Sequence, residues 1–130
     1  MKKKFLIVIA DYYKDISKGL LNSAKAVLPK SCLIKVISVP GVFEIPVTIS
    51  KNIKKYDAFL ALGCVIKGKT PHFDFISYAS TNGIMKLSIE NKKPIGNGII
   101  TCLNMRHAIA RKKKGREAAQ AVISVLSQVK

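Results

Sequence analysis

The sequence predicts an α/β domain in which a four-stranded parallel sheet is covered by helices on both faces. Short runs of mostly apolar residues alternate along the chain with longer segments whose apolar residues recur at helical spacing. Hydrophobic residues make up 48% of the 130 residues, so a buried core is available. Because alternating strands and helices form βαβ units, the strands are expected to run parallel in one sheet. We predict a single domain spanning residues 1–130.

The four strands are predicted at residues 5–10, 33–39, 58–66 and 94–101. The first and third runs are almost wholly apolar, which is typical of parallel strands buried on both faces. Helices are predicted at residues 16–28, 44–55 and 73–90, and from residue 105 to near the end of the chain. Pro29 is expected to end the first helix, and Gly115 is a candidate interruption of the last one.

The loops after the strands are the expected location of a binding site. In open parallel sheets, ligands bind beyond the carboxyl ends of the strands, in the loops that follow them. The candidate loops are residues 11–15, 40–44, 67–74 and 102–105.

The loop at residues 67–74 contains the most informative group of side chains. Gly68 permits close approach of a ligand to the backbone, and Thr70 supplies a hydroxyl group. Free N–H groups at the start of the following helix favour an anion, and His72 beside it could transfer protons near neutral pH. The alternative is an ordinary helix N-cap at Thr70 followed by a surface histidine.

Three further positions in the chain have both a functional and a structural interpretation. Glu44 could accept hydrogen bonds from sugar hydroxyls, or simply favour a helix start through the helix dipole. Tyr12 and Tyr13 could offer an aromatic face to a flat heterocycle, or cover part of the core. Arg111 could bind a phosphate with two N–H groups, or be a solvated member of a basic cluster.

Several classes of protein are excluded because their characteristic motifs are absent from the sequence. No Walker loop, dinucleotide fingerprint, metal-ligand cluster or Ser-His-Asp pattern occurs. Cys32, Cys64 and Cys102 are odd in number and form no C-x-x-C pattern, which favours a reducing compartment. The first apolar run stops at Asp11, too early for a signal peptide, and no run approaches the roughly 20 residues of a membrane span. We therefore expect a cytoplasmic protein with no membrane partner.

The formal net charge of +16 favours a different class, a nucleic-acid-binding module. However, the basic residues are mostly lysines scattered along the whole chain, with one dense cluster at residues 111–116. Aromatic residues amount to 7%, with no Trp and no interleaving of aromatic and basic residues. Solvated lysine faces are the simpler interpretation, so no nucleic-acid partner is expected.

Four longer segments resemble the 6,7-dimethyl-8-ribityllumazine synthase family: VPGVFEIP at residues 39–46, ALGCVIKG at 61–68, TPHFD at 70–74 and NGIIT at 97–101. Their order and spacing match as well, and the likeness runs from Phe5 to the last helix. The resemblance implies a flavodoxin-like three-layer sandwich. It also implies an enzyme that condenses 5-amino-6-(D-ribitylamino)uracil with 3,4-dihydroxy-2-butanone 4-phosphate, the penultimate step of riboflavin biosynthesis.

The resemblance implies roles for individual residues. Tyr12 stands where the family has an aromatic residue, usually Phe, that stacks on the pyrimidine ring. Asn97 stands where the family often has Phe against the other side of the heterocycle. The segments that bind this substrate are matched by Val42, Phe43, Glu44, Cys64, Val65 and Ile66, of which Phe43 and Glu44 hold the ribityl chain.

Phosphate binding and proton transfer are implied in the same way. The phosphate-binding positions are matched by Gly68, Lys69, Thr70, Arg111 and Lys114, and the proposed acid/base by His72. The match has two departures. Lys69 occupies a position where the family often has Glu or Ala, and the stretch between Arg111 and Lys114 is several residues shorter than usual.

The implied chemistry needs positioning, a proton shuttle and an anion clamp, and neither a metal nor a cofactor. The family is built from pentamers with active sites between subunits, where the positions of Asn97 and Arg111 come from the neighbour. A homo-oligomer with small-molecule substrates is therefore expected. A flavin-binding module without catalysis is the second hypothesis, because the fold and an aromatic loop could hold an isoalloxazine. Asn97 in place of an aromatic residue leaves this alternative open.

Overall fold

Four parallel strands form one sheet that lies between two layers of helices. The computed structural model describes residues 2–68 and 71–128. Its strands are β1 (Lys4–Ala10), β2 (Leu33–Val39), β3 (Ala58–Ile66) and β4 (Ile95–Cys102). Its helices are α1 (Lys14–Lys25), α2 (Ile45–Asn52), α3 (His72–Asn91), α4 (Met105–Ala110) and α5 (Gly115–Leu126), with a 3-10 turn at Val42–Glu44. Within the described ranges, no helix is long and apolar enough to cross a membrane.

The strands are arranged in the order β2-β1-β3-β4, and every neighbouring pair is parallel. Ile7 in the middle of β1 pairs with Val36 of β2 and with Leu60 of β3. The two most apolar strands, β1 and β3, occupy the centre and are buried on both faces because helices cover each side. The predicted flavodoxin-like α/β class with four parallel strands is confirmed.

Strand β1 divides its side chains between two cores, one on each face of the sheet. Phe5 and Ile7 belong to a cluster that includes residues of α1 and α5. Leu6 and Val8 belong to a second cluster that includes residues of α2 and α3. This alternation follows from the two-residue period of a strand and accounts for the three layers.

Helix α1 illustrates how the local sequence matches its layer. Ile16, Leu20 and Ala24 are spaced four residues apart and are buried. Asp15 in the first turn and Lys25 in the last turn both stabilise the helix, because their charges are opposite to the partial charges of the helix dipole at those ends. The helix ends at Lys25, before the predicted end at Pro29. The chain forms a tight turn there, in which the N–H of Val27 donates to the carbonyl oxygen of Ala24.

Several other boundaries differ from the predicted ones. Helix α2 ends at Asn52, because the N–H groups of Ile53 and Lys55 bond to carbonyls three residues earlier in a turn. The predicted interruption of the last helix is confirmed, but it begins at Arg111, and Gly115 starts α5. Strand β4 begins and ends one residue later than predicted.

Strand β4 and helix α5 meet so closely at Gly96 that a Cβ there would overlap the carbonyl oxygen of Ala118 and lie 2.7 Å from Leu60 Cδ2. We expect Gly96→Ala to lower the free energy of unfolding by about 1–3 kcal/mol through overpacking, as measured by urea denaturation. Gly68→Ala is the matched control, since a Cβ there meets no described atom within 4 Å. Wild-type stability of Gly96→Ala would contradict this close packing.

Candidate active site

A cavity of about 610 Å³ opens at the carboxyl ends of β1 and β3. These strands are neighbours, but the chain continues from β1 to the β2 side and from β3 to the β4 side. Such a switch point leaves a crevice between the diverging loops. The cavity is lined by Tyr12, Tyr13, Gly41, Val42, Phe43, Glu44, Cys64, Val65, Ile66, His72 and Ile76. Three of the four predicted loops contribute to this lining, and the loop at residues 102–105 does not.

The floor of the cavity is the last part of β3. Cys64 and Val65 are buried there, and Ile66 is partly buried. Gly63 allows the 3-10 turn to pack directly on the strand, because a Cβ at this position would lie only 2.9 Å from Val42 Cγ2. This contact sets the height of the turn above the sheet.

The 3-10 turn presents Phe43 and Glu44 to the cavity. Val42 is buried beneath the turn, whereas Phe43 is 61% exposed. The backbone N–H of Glu44 donates to the carbonyl oxygen of Gly41 at 3.2 Å. Glu44 Oε1 lies beside Gly41, where a Cβ would be 3.1 Å from it, so the carboxylate folds back over the turn. A carboxylate next to an aromatic ring suits a ligand with hydroxyl groups.

Tyr12 and Tyr13 form the wall that follows β1. Their rings meet edge to face, with the centroids 4.9 Å apart and an interplanar angle of 80°. The Tyr12 side chain is exposed and the Tyr13 side chain is partly buried. Burial, followed by the charges of Cys64 and Tyr12, raises the pKa of the Tyr13 phenol. Tyr13 is therefore a protonated hydroxyl in the cavity wall at neutral pH.

His72 is the first residue of α3 and lies exposed at the edge of the cavity. Ile76 lines the cavity one turn later, on the same face of the helix. The helix begins one residue earlier than predicted, and the N–H of Phe75 donates to the carbonyl oxygen of Pro71 at 3.1 Å. An imidazole in this place can exchange protons with a molecule bound in the cavity.

The predicted phosphate loop is described only in part. Gly68 is exposed just after β3, and a Cβ added there would meet no atom of the described residues within 4 Å. Lys69 and Thr70 lie outside the described residues.

Asn97 and Lys114 do not line the cavity of their own chain. Asn97 is in β4, where its Oδ1 accepts the N–H of Ile99 at 3.0 Å. It lies three residues before Ile100, the partner of Cys64, and so about 10 Å along the strand from the cavity floor. Lys114 precedes α5, with its Nζ 3.9 Å from Glu117 Oε2. Neither side chain is brought to the cavity within one chain.

Arg111 lies near the cavity but outside its lining. Its Nη1 donates to the carbonyl oxygen of Thr101 at 3.2 Å, which places the guanidinium at the carboxyl end of β4. Its charge acts on Cys64, lowering the pKa of that thiol against the larger effect of burial. A strong anion-binding group is therefore present at the same end of the sheet as the cavity.

The cysteines are free thiols, and Cys64 and Cys102 are buried. Burial, together with the charge of Cys102 and a hydrogen bond to it, raises the pKa of Cys64 to about 12. Cys64 is therefore a neutral part of the cavity floor and a poor nucleophile. Among the residues described, no group of three or more His, Cys, Asp and Glu side chains could hold a metal ion.

Sequence reasoning did not single out Gly41 and Ile76 as lining residues, and it offered Tyr13 only together with Tyr12 as a possible aromatic surface. Ile76 could have been found from spacing, since it lies four residues after His72. Gly41 has no comparable signal, because its place depends on how the 3-10 turn packs on β3.

Residues 2–130 match the sequence profile of the 6,7-dimethyl-8-ribityllumazine synthase family. The chain is 42% identical over 134 residues to a 6,7-dimethyl-8-ribityllumazine synthase of Rhodopseudomonas palustris strain BisA53, covering 93% of this chain and 82% of that protein. It is 40% identical over 138 residues to one from Agrobacterium fabrum (96% and 93%) and 39% identical over 132 residues to one from Corynebacterium kroppenstedtii (95% and 83%). The chain belongs to the 6,7-dimethyl-8-ribityllumazine synthase family.

Three of the four segments that resemble lumazine synthases contribute to the cavity. Residues 39–46 supply the 3-10 turn, residues 61–68 supply the floor, and residues 70–74 supply His72. The fourth segment, residues 97–101, lies in β4 away from the cavity. The family likeness therefore coincides largely with the cavity of this lumazine synthase family member.

The raised pKa of Cys64 predicts slow alkylation in the folded protein. With a pKa of about 12, roughly one thiol in ten thousand is ionised at pH 8, and only the thiolate reacts. We expect iodoacetamide to label Cys64 on the order of 10³ times more slowly than an unperturbed thiol, as followed by peptide mass spectrometry. The chain unfolded in urea is the control, and equal labelling rates in both states would contradict the assignment.

Proposed function

We propose that the protein is a lumazine synthase that condenses 5-amino-6-(D-ribitylamino)uracil with 3,4-dihydroxy-2-butanone 4-phosphate to give 6,7-dimethyl-8-ribityllumazine, releasing phosphate and water. The reaction is the penultimate step of riboflavin biosynthesis, and it makes the enzyme a transferase. The observation that carries the proposal is the convergence of an aromatic ring, a carboxylate and an imidazole, those of Tyr12, Glu44 and His72, on one cavity. Membership of the family supports the same substrates.

The cavity suits the pyrimidine substrate. Its volume of about 610 Å³ lies within the roughly 300–1,000 Å³ that is usual for small-molecule sites. Tyr12 exposes a ring that can stack on the pyrimidine. Phe43 and Glu44 lie on the neighbouring turn, where the carboxylate can accept hydrogen bonds from ribityl hydroxyls. Cys64 and Val65 add an apolar floor.

His72 moves protons in the proposed mechanism. The 5-amino nitrogen attacks the ketone carbon, and loss of water gives a Schiff base. Removal of a proton from the hydroxyl-bearing carbon next to the Schiff base drives loss of phosphate and leaves an enol, which becomes a ketone. The ribityl-substituted nitrogen attacks this ketone carbon, and loss of its oxygen as a second water closes the ring. An imidazole at the cavity edge can accept and return these protons near neutral pH, while the walls hold the reactants together.

The departing phosphate requires an anion site, which we assign to Gly68, Lys69, Thr70, Arg111 and Lys114. Arg111 and Asn97 lie outside the lining of their own cavity, so we propose that they act on the cavity of a neighbouring subunit. A guanidinium is well suited to this task, because it stays charged and binds phosphate with two N–H groups.

An apolar outer face of α3 supports assembly of several copies. Phe75, Tyr78, Met85 and Ile89 recur at helical spacing, and each is at least 57% exposed. Ser77 Oγ is buried in this helix without a hydrogen-bond partner among the described residues. A helix that is apolar on its outer face as well as its inner face is typically buried on both. We propose that a second copy covers this face, in pentamers whose active sites lie between subunits.

We place the reaction in the cytoplasm. All three cysteines are free thiols, and Cys64 and Cys102 lie close enough together to form a hydrogen bond. Neighbouring thiols of this kind suit a reducing compartment.

Replacement of His72 tests the proton-transfer role. We expect the wild type to form lumazine above the slow spontaneous rate, and His72→Gln to lower kcat by about 10²- to 10⁴-fold, because a general acid–base catalyst is removed. Lumazine absorbance and fluorescence measure the product. His107→Gln is the matched control, since this exposed histidine of α4 does not line the cavity. A wild-type protein that binds riboflavin but does not accelerate the reaction would favour the flavin-binding hypothesis.

Mixed oligomers test whether subunits share the site. Arg111→Ala and His72→Gln are each expected to be nearly inactive alone. When the two variants are unfolded together and reassembled, about one quarter of the sites should regain both groups, because each site combines residues of two subunits at random. The measured quantity is lumazine formation by the mixture relative to each variant reassembled separately. A mixture no more active than its components would place both groups in the same chain's site.

A further inference from the structure

The orientation of Tyr12 in the cavity wall depends on very few contacts. Its side chain is 73% exposed, although it lines the cavity. An exposed tyrosine normally samples several side-chain rotamers, and only one orientation offers the ring face to a bound heterocycle. Tyr13 is its one aromatic neighbour among the described residues, and the two rings meet edge to face at 4.9 Å.

Tyr13 is much more firmly held than Tyr12. Its ring is partly buried and packs against the core cluster that includes α1 and α5. Its carbonyl oxygen accepts the N–H of Ser17 at 2.9 Å. The Ser17 side chain is buried and donates through Oγ to the carbonyl oxygen of Ala10 at 2.8 Å. Ser17 of α1 therefore holds both Ala10 and Tyr13, on either side of Tyr12, and the Tyr13 ring is fixed by its packing against the core.

An edge-to-face pair also defines a direction. The positive edge of one ring meets the negative face of the other, so the contact favours a narrow range of angles over free rotation. At the observed interplanar angle of 80°, a fixed Tyr13 ring sets the plane of the Tyr12 ring.

We propose that Tyr13 is a positioning residue that holds the Tyr12 ring in the orientation that stacks on the pyrimidine substrate. The proposal rests on the proposed function, because the stacked ligand is the substrate of that reaction. It assigns to Tyr13 an effect on pyrimidine binding that is exerted through Tyr12 and not through its own contact with the ligand.

A double-mutant cycle tests this dependence. Tyr13→Leu keeps most of the apolar volume but removes the ring, and it is expected to raise the KM for the pyrimidine roughly 2- to 12-fold, the strength of an aromatic pair. The KM for the butanone phosphate and kcat are expected to change less than about twofold, because neither depends on the stacked ring. In a Tyr12→Ala background, Tyr13→Leu should add no further increase, since its effect passes through Tyr12. Additive effects of the two substitutions would overturn the proposal.

Tyr13→Phe separates the ring from its hydroxyl group. This variant keeps the edge-to-face contact and is expected to retain the wild-type KM for the pyrimidine. A Tyr13→Phe variant as impaired as Tyr13→Leu would assign the effect to a hydroxyl contact with substrate and overturn the positioning role. Thermal unfolding of all variants identifies any loss caused by destabilised folding, which would lower the apparent kcat through a smaller folded fraction and leave both KM values unchanged.

A crystal structure of Tyr13→Leu tests the same proposal without any catalysis. We expect the Tyr12 ring to leave its wild-type orientation or to occupy more than one. A Tyr12 ring that keeps the wild-type orientation would overturn the proposal, whether or not the enzyme forms lumazine. Failure of the wild type to form lumazine would instead remove the proposed function, so the two failures are distinguishable.

Discussion

The pairing of β1 with β3 at the centre of the sheet is the constraint on which the site depends. Both strands are buried on two faces, so their apolar runs can occupy only the middle of a sheet covered by helices. Once they are neighbours, the chain leaves them in opposite directions, and a cavity opens between the loops at their carboxyl ends. The close contact of Val42 with Gly63 then holds the 3-10 turn against the cavity floor. The positions of Phe43 and Glu44 follow from that contact.

The candidate site is distributed unevenly along the chain. The first half of the chain and the start of α3 place their side chains together in one cavity, whereas Asn97 and Lys114 belong to the second half and lie apart from it. Arg111 is intermediate, because Thr101 holds its guanidinium at the correct end of the sheet. This division fits the proposed site between subunits. The outer face of α3, which begins at the cavity with His72, is the apolar surface on which that proposed assembly rests.

The fold could be predicted from the sequence because its signals are local and repeated. Strand β3 shows this, since nine residues with hardly a polar side chain suit only a strand buried on both faces. The helix ends were harder, as at Lys25, where tight turns and not Pro29 decide the boundary. At the site, the loop positions followed from the sheet topology, but the roles came from the family resemblance. Gly41 was not singled out because its place depends on packing between distant segments, which a single sequence does not display.

The proposed reaction depends mainly on holding two reactants in one geometry, and the contacts that hold the loops of this cavity suit that task. Ser17 ties the loop after β1, and the N–H of Asp11 donates to the Val39 carbonyl oxygen at 3.1 Å, which joins that loop to the end of β2. The 3-10 turn is likewise held by its contact with β3. These contacts join each wall of the cavity to the sheet, so the side chains that face the ligand are held in place. The apolar floor, in which burial keeps the Cys64 thiol neutral, presents no competing thiolate nucleophile to the reactants.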